Sequence, residues 1–434
     1  MNILFLSLSA FGSYEEHGIY ASLMRKIAQK GHAVYTILPK KTGEKTAETE
    51  SLGGKIVKID TGAVTGKVGL IKKGLNTLRL GGRYKRAIKR YFKNVKFDLV
   101  LYSSPPITLL KAIKYAKKRD GAKTYLLLKD IFPQNAVDLG ILTTGGLKGL
   151  IYRHFRRVEK KYYAVSDKIG CMSAKNEEYL LRHNPWIDPE KIEINPNSVD
   201  TDGLDERKIL SAEDRAKIRA EYKIPEDKRV FIYGGNLGKP QKVEYVVNCL
   251  KEEENKTDRF FVICGNGNEY GKLERFFEEE RPSDMLLIGG LPGPEYERLC
   301  SACDVGLIFL DHRFTIPNYP SRLLSYLSNG LPVLCCTDKN TDAGDDAVRG
   351  GYGWKCESDD VSSFAAAADE ICRENTEEMR INAIACLKKY FSAEEGAEKI
   401  IRFASSCPSG EKSPFAKEES PTTKEGNVKN TQRD

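Results

Sequence analysis

Short apolar runs alternate with amphipathic stretches along almost the whole chain, and this alternation constrains the fold more than any other feature. The first half opens with the apolar run Asn2–Leu8, a glycine-bearing loop at Gly12–Gly18 and an amphipathic stretch. The second half repeats the pattern, because Val230–Tyr233 leads into the glycine-rich loop 234–238 and then into Val243–Lys251. Such runs are typical of buried parallel strands joined by helical crossovers. The sequence therefore predicts an α/β fold.

The length of 434 residues fits two such units better than one. We predict an N-terminal Rossmann-like domain over residues 1–200 and a C-terminal one over residues 201–405. The polar residues 406–434 contain few apolar side chains and are expected to be a disordered tail. Two doubly wound sheets in tandem would face each other across a cleft, and ligands of such sheets bind at the carboxyl ends of the strands.

The cysteines and the first residues bear on the cellular compartment. The first of the eleven cysteines is Cys171, and several lie within apolar runs, which indicates reduced, buried thiols in a cytosolic protein. Cys300 and Cys303 have C-x-x-C spacing but no second pair, so core packing is favoured over a metal or redox role. The run Met1–Phe11 is too short to span a bilayer and is expected to be a buried first strand. No other stretch of the sequence approaches 18 uninterrupted apolar residues, so any membrane attachment is expected to be peripheral.

Positive charge is concentrated in one segment, because residues 67–96 contain eleven Lys or Arg and no Asp or Glu. Apolar residues such as Leu80, Ile88 and Phe92 are interleaved with these cations, and Gly74, with the pair at 81 and 82, should break the segment into short pieces. A basic amphipathic stretch of this kind suits an anionic membrane surface. A solvated helix is the plain alternative, and nucleic acid is disfavoured because stacking aromatics are sparse.

Several motifs follow one another in an order that resembles the family 4 glycosyltransferases of the GT-B fold, especially those of capsule and exopolysaccharide clusters. The motifs span nearly all of residues 1–400 and are the Gly12–Gly18 loop, KDIFP at 129–133, INPNSVD at 194–200, YGGNLG at 233–238, GNG at 265–267 and PSRLLSY at 320–326. The resemblance implies two Rossmann-like domains facing a central cleft. It also implies a nucleoside-diphosphate-sugar donor on the second domain and an acceptor on the first.

A departing diphosphate carries at least two negative charges, so cations and free N–H groups must face it. Ser321 follows Pro320 and suits a helix N-cap, and Arg322 in the first turn suits a diphosphate contact, which is the role that the resemblance implies. Ser321 could equally be an ordinary cap and Arg322 a surface charge.

Glycine turns at strand ends would complete the donor site. By resemblance, Gly235 and Asn236 would approach the diphosphate together with a basic residue, Lys242 in the first instance and Lys239 as the alternative. Later turns would frame the base through backbone groups. The residues expected at those later turns are Gly265, Asn266 and Leu291. Plain tight turns remain the alternative for each of these loops.

The first domain would contribute Asp130, which closes a strand and could polarise the acceptor hydroxyl or bind a donor hydroxyl. The alternative for Asp130 is a cap of the helix that follows. Gly12 and Gly18 would let the first loop approach the diphosphate from the opposite domain.

The chain departs from the family at one point. Members usually carry two glutamates eight positions apart around the Ser321 helix, and this chain has Pro317 and Ser325 there. We keep Ser325 as a predicted donor contact, while Asn318 or Asp311 could take over part of the missing function. The resemblance implies retention of anomeric configuration, and the scarcity of paired carboxylates favours a front-face route over a double displacement. No metal or other cofactor is expected.

The sequence thus predicts a hexosyltransferase-like enzyme that moves a sugar, from UDP in the first instance, to a lipid-linked saccharide during surface polysaccharide assembly. It would be cytoplasmic and peripheral to the inner face of the cell membrane. A sugar-nucleotide epimerase of the same fold and a non-catalytic subunit that binds donor or lipid are the alternatives. A nicotinamide oxidoreductase is disfavoured because no G-x-G-x-x-G follows either leading strand.

Overall fold

The computed structural model describes residues 1–41, 43–62, 70–204 and 210–406 and contains two separate parallel sheets. The predicted α/β class with two Rossmann-like domains is confirmed. Apart from residue 406, the predicted tail 406–434 lies outside the described residues, as do residues 67–69 of the basic segment.

The first sheet has eight strands in the order β3-β4-β2-β1-β5-β6-β7-β8, and only β3 is antiparallel to its neighbour. Successive residues of β1 and β5 pack into two different apolar clusters, one on each face, so helices cover the sheet on both sides. The strands are β1 Asn2–Leu6, β2 Ala33–Pro39, β3 Ala47–Ser51, β4 Gly54–Ile59, β5 Leu99–Ser104, β6 Lys123–Leu128, β7 Lys168–Cys171 and β8 Ile192–Ile194. The helices are α1 Ile19–Gln29, α2 Leu70–Tyr91, α3 Leu110–Asp120, α4 Gln134–Asp138, α5 Gly146–Val165 and α6 Ala174–His183.

The second sheet has six parallel strands in the order β11-β10-β9-β12-β13-β14. Its central strands β12 and, from Val230 to Gly234, β9 are buried, which places them between two layers of helices. The strands are β9 Arg229–Asn236, β10 Arg259–Asn266, β11 Met285–Ile288, β12 Val305–Phe309, β13 Val333–Thr337 and β14 Gly353–Glu357. The helices are α7 Ala212–Glu221, α8 Val243–Glu252, α9 Tyr270–Glu280, α10 Gly293–Ser301, α11 Arg322–Ser328, α12 Ala343–Arg349, α13 Val361–Arg373, α14 Glu377–Tyr390 and α15 Ala393–Ser405.

The prediction that glycines break the basic segment into short pieces is wrong, because α2 is one helix of 22 residues. Gly81 lies inside it at a close packing contact, where a Cβ would come within 2.5 Å of the Thr108 carbonyl oxygen. The cost of glycine in a helix is only about 1 kcal/mol, so the packing of Leu80, Tyr84 and Ile88 into the core outweighs it.

The last helix returns to the first sheet. Ala397 and Ile400 of α15 are fully buried in the cluster that contains β1 and β5, and the Phe403 ring lies 5.7 Å from the ring of Tyr125 on β6. Residues 393–405, which we assigned to the C-terminal domain by sequence, therefore pack on the first sheet. The division at residue 200 itself stays a prediction.

Loops at the carboxyl edges of the two sheets contact each other. The backbone N–H of Thr315 donates to the Asp138 carboxylate at 2.8 Å, and the Asn176 amide donates to the Pro317 carbonyl at 2.7 Å. An apolar cluster joins the same loops and consists of Ile131, Leu139, Leu310, Phe314 and Ile316. These contacts hold the ends of β6 and β12 side by side.

Candidate active site

The carboxyl ends of β9 and β10 meet at an edge lined by glycines. A Cβ on Gly265 would lie 2.0 Å from the Gly235 carbonyl oxygen, and a Cβ on Gly234 would lie 2.0 Å from the Tyr296 hydroxyl. Gly235 itself has φ of 121°, a conformation that side chains rarely adopt. Close packing requires Gly234 and Gly265, which are buried, while Gly235 exposes its backbone at this edge.

Arg322, the first residue of α11, lies directly on this edge. Its Nη1 would be 2.7 Å from a Cβ on Gly235, and its guanidinium carbon lies 4.3 Å from the centre of the Tyr233 ring. Nη1 is buried without a hydrogen-bond partner, and within the described residues the guanidinium forms no ion pair. The stack on Tyr233 fixes the orientation of this cation. Its charge is thereby left available to an anion.

Ser321 and Ser325 lie on either side of Arg322 in the sequence, and their side chains make different contacts. Ser321 occupies the N-cap position of α11, as predicted, but it is exposed and its side chain makes no capping hydrogen bond with this described helix. The backbone of Ser321 is already helical there, and a hydroxyl caps well only from an extended conformation. Ser325 instead donates to the Glu297 carboxylate at 2.8 Å.

Glu297 brings to this site a carboxylate that the sequence analysis missed. It comes from α10, accepts a second hydrogen bond from the Asn329 amide at 2.6 Å, and has a pKa raised by burial. His17 of the first domain lies close enough to oppose that rise in pKa. The chain thus lacks the two glutamates at Pro317 and Ser325, but a neighbouring helix supplies a glutamate beside Ser325. No local motif marks Glu297, because it becomes part of the site only when α10 packs against α11.

The loop Gly12–Gly18 faces α11 from the first domain, since Ile19 behind it packs against the apolar cluster that contains Leu323. The Gly12 and Ser13 amides both donate to the Glu16 carboxylate, at 2.7 and 3.2 Å. Gly18 precedes α1 with φ of 145° and accepts a hydrogen bond from the Ser22 amide. The Gly12 and Ser13 amides are therefore backbone donors of this loop, and an internal carboxylate occupies both.

Asp130 follows β6 and is largely buried. Its Oδ2 accepts from the Asn135 amide at 2.5 Å, while its Oδ1 is buried without a hydrogen-bond partner. Burial raises the pKa of Asp130 from 3.8 to about 6, against the hydrogen bonds from Ile131 and Asn135, which lower it. The neighbouring Lys129 donates to the Asn195 carbonyl, and burial lowers its pKa to about 7. The Oδ1 atom of Asp130 can thus accept a proton or a hydrogen bond from a hydroxyl group.

Lys242 makes a different set of contacts from those of Arg322. Its ammonium pairs with the Asp359 carboxylate at 2.5 Å and lies 3.0 Å from His312 Nδ1. It lines a cavity of about 340 Å³, together with Leu139 of the first domain and Arg313. The possible substitute Asp311 is held in the same region by Arg313, and Asn236 directs its amide to Gln241.

Asn266 and Leu291 lie at the ends of the next two strands. The Asn266 carbonyl accepts from the Leu237 amide at 2.9 Å, and its side-chain amide packs over Gly290. Leu291 is half-buried against the second-sheet core beside Tyr296. The structure therefore brings Gly235, Gly265 and their neighbours together along one edge, with Arg322 in its middle.

Metal ligands, buried thiols and membrane-spanning helices also bear on what the site can do. Across residues 1–41, 43–62, 70–204 and 210–406, no group of three His, Cys, Asp or Glu side chains is arranged to hold a metal ion. Both Cys300 and Cys303 are fully buried, and burial raises the pKa of each thiol, as core packing predicts. Over the same described ranges, no helix has the length and apolar character needed to cross a bilayer.

Sequence comparison relates both halves of the chain to known families. Residues 20–203 match the family described as Glycosyltransferase Family 4, and residues 214–386 match the one described as Glycosyl transferases group 1. The probable glycosyltransferase WbjE of Pseudomonas aeruginosa is 27% identical over 63% of this chain and 66% of its own length. The putative colanic acid biosynthesis glycosyl transferase WcaI of Escherichia coli K12 is 20% identical over 57% of this chain and 60% of its own. The matches span less than two thirds of either relative.

Solved structures share the fold. Sucrose-phosphate synthase from Thermosynechococcus elongatus superimposes with a TM-score of 0.70 at 15% identity, over 93% of this chain and 98% of the other. Anabaena HepE, solved in complex with UDP and glucose, gives a TM-score of 0.66 at 14% identity, over 94% and 100%. At these identities the likeness establishes the two-domain architecture alone.

Proposed function

The chain is a member of the family 4 glycosyltransferases, and from that premise we propose that it transfers a sugar from a nucleoside diphosphate to a lipid-linked saccharide in surface polysaccharide assembly. One observation carries the proposal. The Arg322 guanidinium, stacked on Tyr233 and seated against Gly235, has no counterion within the described residues. A fixed cation at the carboxyl edge of a Rossmann-like sheet suits the diphosphate that leaves during transfer.

UDP is the donor nucleotide that we propose, and retention is the stereochemical course. WcaI bears a name from colanic acid biosynthesis and HepE was solved with UDP, which supports a UDP-sugar and a polysaccharide product. In this proposal the diphosphate lies against Arg322 and the glycine edge of β9, while Glu297 and Ser325 bind hydroxyl groups of the donor. The cationic charge of Arg322 serves in place of a metal ion.

Asp130 is the residue that we propose to act on the acceptor. Its free Oδ1 can accept a hydrogen bond from the acceptor hydroxyl and orient it toward the sugar. The acceptor oxygen bonds to the anomeric carbon as the bond from that carbon to the diphosphate breaks. The leaving diphosphate, held by Arg322, accepts the proton of the acceptor hydroxyl on the same face of the sugar. The hexose, the acceptor hydroxyl and Asp130 must meet between the two domains for this step.

The membrane contact that we propose uses α2, at the inner face of the cell membrane. The apolar residues Leu80, Ile88 and Phe92 are buried in the core, so they cannot face lipid as the sequence suggested. The exposed cations of the helix remain, including Arg79, Arg86 and Lys89. Their charge would hold the first domain near anionic lipid and so near a lipid-linked acceptor.

Turnover of Arg322 variants tests the assignment. A thermal-shift screen against UDP-, GDP-, ADP- and CDP-sugars first identifies the donor, since a true ligand raises the melting temperature. We expect Arg322→Ala to lose at least about a hundredfold in turnover with that donor, with little loss of stability. Arg322→Lys is the matched variant. It keeps the positive charge but lacks the planar guanidinium that stacks on Tyr233, and it should retain part of the activity. Unchanged turnover in Arg322→Ala would refute the diphosphate assignment.

Product analysis separates transfer from its alternatives. With acceptor omitted, an epimerase would still convert the donor, whereas a transferase would leave the sugar unchanged apart from slow hydrolysis. A non-catalytic subunit would show donor binding in the thermal-shift screen but no product with any lipid-linked acceptor.

A further inference from the structure

An unusual group of exposed apolar side chains lies at the start of α5. Ile141, Leu147, Leu150 and Ile151 are 51%, 83%, 56% and 48% exposed. We refer to these four residues as the apolar tip. Most large apolar side chains of the described residues are buried, so four exposed ones within eleven positions form a patch rather than scattered exceptions.

The apolar tip is held in a defined shape. Gly149 is buried and packs so closely on the preceding turn that a Cβ would lie 2.5 Å from the Thr144 carbonyl oxygen. The second half of α5 is anchored in the core through Tyr162 and Tyr163, which are almost fully buried. The helix therefore presents Leu147 and Leu150 on a rigid support.

Several cations lie beside the apolar tip in the sequence. Residues 139–158 contain Lys148, Arg153, Arg156 and Arg157 and no Asp or Glu. Arg156 pairs with Glu159, but Lys148, Arg153 and Arg157 are exposed and form no ion pair with any residue that the structure describes. Exposed leucines beside unpaired cations match the chemistry of an anionic bilayer, which offers apolar chains below a layer of phosphates.

The position of the apolar tip in the fold agrees with that partner. α5 follows β6 and begins at the carboxyl edge of the first sheet, the same edge at which Asp130 follows β6. α2 also begins at this edge, and its first turns expose Leu75 and Leu78. The short helical turn Ile107–Leu109 touches both α2 and α5, so the two helices are near neighbours.

We propose that the apolar tip inserts into an anionic lipid surface and, with the start of α2, sets the height of Asp130 above the membrane. The inference deepens the proposed function and rests on it only for the lipid-linked acceptor. Insertion of the four side chains would bring the edge that carries Asp130 toward the headgroup layer, where the saccharide of a lipid-linked acceptor lies. The peripheral attachment is then an apolar contact as well as an electrostatic one.

Vesicle flotation of the full chain tests the proposal without any donor. The vesicles contain phosphatidylcholine and phosphatidylglycerol in equal parts, and pure phosphatidylcholine vesicles serve for comparison. We expect the chain to bind the anionic vesicles, and the double variant Leu147→Ser, Leu150→Ser to bind them at least about tenfold more weakly. The matched control Val348→Ser, Ile381→Ser removes two similarly exposed side chains from α12 and α14, and should bind as the parent does.

A second variant tests the charges. Lys148→Ala, Arg153→Ala, Arg157→Ala should weaken binding to anionic vesicles and reduce its dependence on salt. Equal binding of the leucine variant and the parent would overturn the proposal. So would sedimentation showing that the apolar tip joins two copies of the chain, with the leucine variant becoming monomeric. The leucine variant should still show the nucleotide-dependent thermal shift, which separates a failure of this proposal from a failure of the proposed donor site.

Discussion

Replacing Asp130 by Asn should make the protein more stable and less active. Burial raises the pKa of Asp130 from 3.8 to about 6, so the ionised carboxylate is destabilising in the folded state. At 1.36 kcal/mol per pH unit, this difference corresponds to about 3 kcal/mol near neutral pH. Asn keeps the shape without the buried charge. The variant should therefore unfold at a higher urea concentration.

The direction in which the stability changes with pH follows from proton linkage. Between pH 3.8 and about 6 the folded state holds a proton on Asp130 that the unfolded state releases, so the stability of the parent falls as pH rises through this window. The stability advantage of Asp130→Asn should accordingly be about 3 kcal/mol near pH 7.5 and about half of that near pH 5. Urea unfolding, followed by circular dichroism at both pH values, measures the free energy of unfolding of the parent and the variant. Any effect of the substitution that does not depend on pH cancels when the two stability differences are compared.

Activity gives the second half of this test. Transfer by Asp130→Asn should fall by about a hundredfold or more, and turnover of the parent should decline below about pH 6 as the carboxylate is protonated. Asp227→Asn, at an exposed loop, controls for the loss of one charge. A variant with full turnover, or a stability difference that is the same at both pH values, would refute the reasoning about Asp130.

Three further predictions follow from the contacts. Glu16→Gln should tighten UDP binding severalfold in calorimetry, because the Gly12 and Ser13 amides would lose a competing carboxylate; weaker binding would count against this role of the loop. Gly235→Ala should abolish the UDP-dependent thermal shift, because its Cβ would displace Arg322, and a normal shift would contradict that contact. Ile400→Ala should cost about 2–5 kcal/mol in urea unfolding, since Ile400 is fully buried, and a smaller cost would show that α15 docks weakly.

The sequence was most informative where local pattern and tertiary structure agree. The apolar runs of β9, β10 and β12 predicted buried parallel strands, because such strands are apolar on both faces. The strands β3 and β4 at the edge of the first sheet were missed, since their short and partly polar runs carry little signal. The continuous α2 was missed because Gly81 fits a packing contact with Thr108 that only the folded chain reveals.

The site was predictable only in part for the same reason. The motif around Arg322 predicted a cation in the first turn of a helix, and Arg322 is indeed the first residue of α11; its contact with Gly235 is seen only in the structure. Glu297 and Glu16 could not be found in this way, because each meets its partners through contacts that no spacing encodes. The ion pair of Lys242 with Asp359, 117 positions later, is equally invisible in the sequence.

A crystal structure of the chain with UDP would test the central claim most directly. We expect the diphosphate oxygens to lie within hydrogen-bond distance of the Arg322 guanidinium and above the glycine edge of β9, with Glu16 moved off the Gly12 amide. A diphosphate bound instead among Lys242, Lys272 and Arg313, with Arg322 still against Gly235 and without an anion, would contradict the account.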